Sequence, residues 1–191
     1  MSRKTFDIQD EGLAKSWPFD ENDVVDVTEL QLALLKFATG KNRYWSIFIN
    51  GLELPFQYSP DLTAIFNEIP DVLEELLQNG KGPVELYFFE QGTDLSLWFS
   101  RNGETILVTF EKHGFCGEPY DHLPEAESQA ISTVEFYLTW FRFLDELLAS
   151  LVQENPRLAE APSYLEYKYR IEQIKRKALS DAESGLNYLF L

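Results

Sequence analysis

The sequence predicts an α+β fold in which an antiparallel β-sheet is packed by a long helix in the C-terminal half of the chain. Residues 43–57 read as a hairpin around an Asn-Gly dipeptide, and residues 83–112 read as a three-stranded meander. In the stretch Ile131–Val152, large apolar side chains recur at helical spacing on a face too wide for a coiled-coil seam. A face this broad needs a sheet to cover it.

The first hairpin is predicted to turn at Asn50-Gly51. Its sequence is RYWSIFI-NG-LELPF, and Asn-Gly is typical of a two-residue turn that requires positive φ at both central positions. Side chains opposite one another across such a turn share a face of the sheet. The predicted register therefore places four apolar residues on one face, pairing Ile49 with Leu52 and Ile47 with Leu54.

The meander is expected to comprise strands over 84–90, 95–100 and 105–112, with a second two-residue turn at Asn102-Gly103. The register implied by that turn gives an apolar face with three cross-strand pairs: Phe99 with Ile106, Leu97 with Val108 and Leu95 with Phe110. On the opposite, mixed face the same register pairs Trp98 with Leu107, so Trp98 is either covered by another element or exposed for a partner.

The long helix is expected over 124–154. Pro124 suits the first helical position, and the Asn155-Pro156 dipeptide disfavours helical geometry at its end. Its apolar face comprises two adjacent rows: Ile131, Val134, Leu138, Phe141, Leu148 and Val152 in one, and Tyr137, Trp140, Leu144, Leu147 and Leu151 in the other. A further helix over 156–180 has thin apolar cover and is expected on the surface.

The N-terminal part of the chain is less clear. Residues 26–40 carry both signals: Asp26 and Glu29 are spaced as a capping box, but alternating leucines also fit a strand. The caps favour a helix. A short strand is expected over 3–9, and a helix over 59–79 is restarted by a proline.

Length and composition predict one α+β domain over 1–191, or one domain with 156–191 as a helical appendage. With 45% apolar residues, general disorder is not expected. A net charge of −16 repels phosphate backbones and anionic bilayers, so neither direct nucleic-acid binding nor membrane binding is expected. One cysteine and an N-terminus without an apolar core typical of signal peptides predict a cytoplasmic protein.

Acidic residues are concentrated between Tyr44 and Ser100, where nine acids and one base give a net charge of −8. Such a field speeds association with a basic protein and supplies carboxylates for its Arg and Lys side chains. Exposed aromatic residues within it are candidate anchors. The predicted partner-binding residues are Glu53, Glu74, Glu75, Glu90, Asp94, Tyr44, Trp45, Tyr58 and Trp98. The alternative is that these acidic residues only keep the surface hydrated and bind no partner.

In overall character the chain resembles the immunity proteins of bacterial toxin systems, although stretches such as WSIFINGLEL and RNGETILV are not signatures of that family. The resemblance rests on small size, acidity, the single cysteine, the meander and the lack of catalytic motifs. It implies a non-catalytic inhibitor that blocks a basic toxin, often a nuclease, through carboxylates and aromatic side chains. It implies no cofactor and no catalytic residue, and it carries over no individual functional residue.

Two alternatives remain open from the sequence. The loop from His113 to His122 contains both histidines and the only cysteine, Cys116, so it could bind a metal or act in catalysis with Glu118 or Asp121. Its glycines and proline equally fit an ordinary connection between elements. The other alternative is a scaffold or oligomer subunit that docks through the apolar tail Tyr188–Leu191.

Overall fold

The computed structural model describes residues 6–13, 27–41, 43–78, 82–89, 93–113, 120–121 and 123–187. The strands are β1 (Phe6–Leu13), β2 (Arg43–Ile49), β3 (Leu52–Gln57), β4 (Val84–Phe88), β5 (Leu95–Asn102), β6 (Thr105–Lys112) and β7 (Ala126–Ser132). The helices are α1 (Glu29–Lys41), α2 (Thr63–Ile65), α3 (Ile69–Glu75), α4 (Thr133–Glu154) and α5 (Pro162–Asn187). Short helical turns at Tyr58–Leu62 and Pro156–Glu160 precede α2 and α5. The predicted α+β class is confirmed.

The strands form two antiparallel sheets. The first has the order β1-β2-β3, and the second has the order β4-β5-β6-β7. The sequence predicted one sheet containing both the hairpin and the meander, so this part of the prediction was wrong. Strand β1 pairs with the hairpin in the first sheet, and strand β7 pairs with the meander in the second.

The register of the first hairpin is confirmed: Ile49 pairs with Leu52, and Ile47 pairs with Leu54. Asn50 and Gly51 have φ values of 53° and 79°, as a turn with positive φ at both central positions requires. The Asn50 backbone N–H also donates a hydrogen bond to Gln129 Oε1 on β7, which links the hairpin to the second sheet.

The predicted register of the second hairpin was wrong, because the turn lies one residue further along the chain than predicted. Asn102 pairs with Thr105 as the last strand residue, and Gly103 and Glu104 make the turn. Gly103 is the first central residue and has a φ of 63°, where a type II′ turn favours glycine. The observed pairs are Phe99 with Val108, Leu97 with Phe110, Trp98 with Thr109 and Leu95 with Lys112. The shift preserves the predicted faces, because each residue moves by two positions relative to its partner.

Residues 126–132 are a strand, so the predicted helix start at Pro124 was wrong. The sequence AESQAIS alternates in burial, with Gln129 and Ile131 buried and their neighbours exposed or half-buried. These residues pair with the edge of β6. Helix α4 begins after Ser132, whose hydroxyl accepts a hydrogen bond from the Glu135 backbone N–H at 3.5 Å.

Helix α4 contributes most of the aromatic core. Phe136 stacks on Phe6 of β1 and contacts Phe99 of β5, so the helix packs against both sheets. The second predicted row is buried throughout, but Val134 and Leu138 in the first row are exposed. Other residues of the helix take their place in the core: Thr133, Phe136, Thr139 and Phe143.

The capped segment at 26–40 is the helix α1, as the capping signals favoured. Its capping box uses Thr28 and Gln31: the Thr28 hydroxyl accepts from the Gln31 N–H at 3.2 Å, and Gln31 Oε1 accepts from the Thr28 N–H at 2.9 Å. Asp26, the predicted cap, lies outside the described residues. The predicted helix over 59–79 is instead a set of short helical turns followed by α3.

Helix α5 lies on the surface, as predicted, and one of its faces packs on the core. Tyr167 stacks on Phe66 with ring centroids 4.4 Å apart, and its hydroxyl donates to the Phe66 carbonyl at 3.1 Å. The other buried residues of this helix are Tyr164, Ile171, Ile174 and Ala178. Among the described residues, no helix has the length and apolar character that crossing a bilayer requires.

Candidate acidic and aromatic interface

The second sheet has one side in the core and one side toward solvent. We use the name outer face for the solvent-side residues Glu85, Tyr87, Phe89, Ser96, Trp98, Ser100, Leu107, Thr109 and Glu111, with Asp94 and His113 at one end. Cross-strand pairing places Glu85, Trp98 and Thr109 in one row across β4, β5 and β6, and it places Tyr87, Ser96 and Glu111 in the next row. Strand alternation therefore collects these side chains on one surface.

Large apolar side chains are exposed on the outer face. Tyr87 is 41% exposed, Phe89 is 60% exposed and Leu107 is 44% exposed, whereas Trp98 is half-buried. Three large side chains exposed on one sheet face differ from the single apolar residues that any surface shows. The Tyr87 and Phe89 rings are in contact, and Leu107 lies two strands away on the same face. Exposed aromatic and apolar side chains on one face are typical of a site that contacts another molecule.

The charged residues of the outer face are all acidic. Glu85, Asp94 and Glu111 contribute three carboxylates, and none of the described outer-face residues is Lys or Arg. The two basic side chains at the ends of β5 and β6 point elsewhere: Arg101 donates to the Leu76 and Leu77 carbonyls, and Lys112 donates to the Leu123 carbonyl at 2.8 Å. The negative charge of this face is therefore not balanced by those neighbours.

Hydrogen bonds hold two of these carboxylates in place. The Tyr87 hydroxyl donates to Asp94 Oδ1 at 2.9 Å, and the Ser96 hydroxyl donates to Glu85 Oε1. The Asp94 carboxylate stabilises the protonated phenol and so raises the pKa of Tyr87 above its ordinary value. Both acids consequently have preset orientations, in contrast to freely rotating surface carboxylates.

Ser96 also contacts an imidazole. Its Oγ lies 2.6 Å from His113 Nε2, and because the hydroxyl's single proton is donated to Glu85, the ring nitrogen acts as the donor in this contact. A nucleophilic serine needs the reverse arrangement, with the imidazole accepting the proton, and it must also reach a substrate. Ser96 is 0% exposed, so the pair supports the outer face from beneath.

Of the predicted partner-binding residues, Trp98 and Asp94 lie on the outer face. Trp45 and Tyr58 do not: they are 0% and 2% exposed, so their predicted role as exposed anchors was wrong. Trp45 packs between Phe56 and Phe143 in the core, and its side chain lies on the same side of β2 as those of Ile47 and Ile49. Tyr58 follows β3 and packs edge-on against Phe37.

The remaining predicted residues lie elsewhere. Tyr44 and Glu53 belong to the first sheet, where Glu53 accepts a hydrogen bond from Ser46 at 2.9 Å. Glu74 and Glu75 lie at the end of α3. Glu90 lies outside the described residues.

Glu74 is engaged within the chain. Arg170 Nη2 on α5 lies 3.0 Å from Glu74 Oε2, and Lys177 Nζ lies 3.4 Å from Glu74 Oε1. The hydrogen bond from Arg170, followed by that from Lys177, lowers the pKa of Glu74 below its usual range. Arg170 also pairs with Asp71. Arg170 and Lys177 therefore offset part of the acidic field that the sequence predicted.

The loop proposed as a metal or catalytic site is only partly described. His113 contacts Ser96, and Asp121 is exposed, whereas Cys116, Glu118 and His122 lie outside the described residues. Within the described ranges, no group of three or more His, Cys, Asp or Glu side chains is placed to hold a metal ion. The apolar tail, Tyr188–Leu191, is likewise outside them.

Sequence reasoning missed most of the outer face, namely Glu85, Tyr87, Phe89, Leu107 and Glu111. A signal was present, because the stretch VELYFFE alternates and puts Glu85, Tyr87 and Phe89 on one side of β4. Comparisons of the chain with family models, with curated proteins and with solved structures gave no match.

Proposed function

We propose that this chain is a non-catalytic binding protein that engages a basic protein through the outer face. The observation that carries the proposal is the combination of exposed Tyr87, Phe89 and Leu107 with three carboxylates on one sheet surface. Aromatic side chains anchor protein interfaces, and carboxylates around them favour a partner of opposite charge. The net charge of −16 extends this preference to long-range encounter.

The most specific form of the proposal is an immunity-type inhibitor acting in the cytoplasm of a bacterium. Its partner would be a basic toxin or nuclease, whose nucleic-acid groove the outer face would occupy. Such a groove attracts phosphates through Arg and Lys side chains, and carboxylates on a rigid sheet are suited to the same side chains. In this role the chain inhibits by steric and electrostatic blockade and performs no chemistry.

The proposal is tested by pull-down from the source organism's lysate at low and high salt. Two charge-reversed variants of this chain serve as further baits. Glu111→Lys places a cation on the outer face, and Glu53→Lys makes the same change of charge at an exposed position on the first sheet. The wild type and Glu53→Lys should retain a basic protein that high salt releases, whereas Glu111→Lys should lose it.

The captured protein should inhibit growth when expressed alone, and co-expression of this chain should restore growth. Equal loss of the partner from both variants would show that total charge governs capture, with no role for the outer face. Capture that is indifferent to salt and to both substitutions would contradict the electrostatic mechanism.

A further inference from the structure

Aromatic side chains and carboxylates are neighbours on the outer face. The rings of Tyr87 and Phe89 lie 5.6 Å apart with planes inclined by 34°, and both are exposed. The Asp94 carboxylate is bonded to the Tyr87 hydroxyl. On the neighbouring strand, Trp98 is the cross-strand partner of Glu85. Each carboxylate named here therefore has an aromatic side chain beside it.

A carboxylate beside an aromatic ring distinguishes arginine from lysine. A guanidinium group is planar and weakly hydrated, so it can stack on an aromatic ring while its N–H groups donate to an adjacent carboxylate. An ammonium group is a strongly hydrated point charge that gains less from stacking. A surface of carboxylates alone would attract both groups to a similar extent.

We infer that the outer face binds arginine side chains of its partner in preference to lysine, with the guanidinium stacked on Tyr87 and Phe89 and paired with Asp94. This inference rests on the proposed function and adds the identity of the partner group. The Tyr87 hydroxyl already orients the Asp94 carboxylate, and Ser96 orients that of Glu85. A preset carboxylate loses less conformational freedom when a partner binds, which favours a defined guanidinium geometry.

The test uses two synthetic peptides of equal length and charge on a Gly-Ser background, one with arginine and the other with lysine at the same positions. Affinity for the full chain is measured by calorimetry and by tryptophan fluorescence. The arginine peptide should bind about five-fold more tightly, the ratio expected for roughly 1 kcal/mol of cation–π and stacking energy at an exposed site.

A double variant removes the rings together with the Tyr87 hydroxyl that orients Asp94. Tyr87→Ala with Phe89→Ala removes both exposed rings and keeps the charge, so the two peptides should then bind with equal affinity. Tyr169→Ala on α5 is the matched control: it removes an aromatic residue that is 67% exposed but lies off the outer face, and the preference for arginine should persist. Circular dichroism confirms that each variant is folded.

The possible failures are distinguishable. Equal, salt-sensitive binding of both peptides by the wild type would overturn the inference about arginine and leave the basic-partner proposal standing. Retention of the arginine preference in the double variant would also overturn it, because the stacking would then be elsewhere. Failure of both peptides to bind at low salt would contradict the inference and the proposed function together.

Discussion

At the scale of single residues, the three described tryptophans have three different environments. Trp45 is buried, and its indole N–H donates to the Gln57 carbonyl at 3.3 Å. Trp140 is equally buried, but its indole N–H has no acceptor among the described residues. Trp98 is half-buried on the outer face. The same residue type is thus found in the core with a hydrogen-bonded indole, in the core with an unsatisfied donor, and half-buried on a sheet face.

We expect Trp140→Phe to lower the free energy of unfolding by less than Trp45→Phe. Both substitutions remove buried volume, but the first also removes an unsatisfied donor whose burial costs about 1–3 kcal/mol, whereas the second breaks the hydrogen bond to the Gln57 carbonyl. Urea denaturation of the two variants beside the wild type measures the difference. A larger loss for Trp140→Phe would show that the indole nitrogen is satisfied or that packing decides.

Burial of aromatic residues was only partly predictable. Trp45 alternates in phase with Ile47 and Ile49, so its position on the strand already assigned it to the apolar face. Trp98 lies out of phase with Leu97 and Phe99, and the sequence placed it on the mixed face correctly. Tyr58 lies beyond the strand, where alternation gives no information and the tertiary contact with Phe37 decides.

At the scale of elements, the turn between β5 and β6 depends on one glycine. Gly103 has a φ of 63°, and a Cβ added there would meet nothing within 4 Å. We expect Gly103→Ala to lower stability by about 1–2 kcal/mol, because only the backbone conformation penalises the methyl group. Gly82→Ala is the matched control: it has equal space without a positive φ, and it should change stability little. Equal effects in thermal unfolding would contradict the assignment of the turn.

Helices α3 and α5 are joined by the ion pairs of Glu74 with Arg170 and Lys177. Because these partners depress the pKa of Glu74, its contribution to stability is present above about pH 4.3, the ordinary value for glutamate, and is lost as the pH falls through the lower folded-state pKa. Solvent screening limits the contribution to less than about 1 kcal/mol.

We therefore expect Arg170→Ala to destabilise the protein by up to about 1 kcal/mol at neutral pH and low salt. The difference from the wild type should shrink in acid and in high salt. Denaturation curves across pH and ionic strength measure this, with Arg176→Ala on the exposed side of α5 as the control. A loss of stability that does not vary with pH or salt would indicate that packing of the Arg170 stem matters instead.

The elements that the sequence predicted well are those with strong local signals. The hairpin at Asn50-Gly51, the three strands of the meander and the helix α5 all have turn or periodicity signals within a few residues. Strand β7 has small and polar residues with weak alternation, and Pro124 offered a competing helix start. Its strand character comes from pairing with β6, which is a long-range contact that local patterns do not encode.

At the scale of the whole molecule, the acidic residues lie in three different surroundings. Part of the acidic field that the sequence predicted is neutralised by α5, and part lies on the first sheet. The part with exposed aromatic side chains is the outer face. The sequence predicted an acidic surface with exposed aromatic residues, but it could not locate that surface, because intrachain pairing and sheet assignment depend on tertiary structure.

We propose above that the outer face contacts a basic partner. Tryptophan indole N–H resonances report on it directly, because Trp98 lies on that face while Trp45 and Trp140 lie in the core. An NMR titration with an unstructured peptide containing lysine and arginine in equal numbers should shift the Trp98 indole signal and leave the Trp45 and Trp140 signals in place. A Trp98 signal that stays unchanged while the peptide binds would contradict the account.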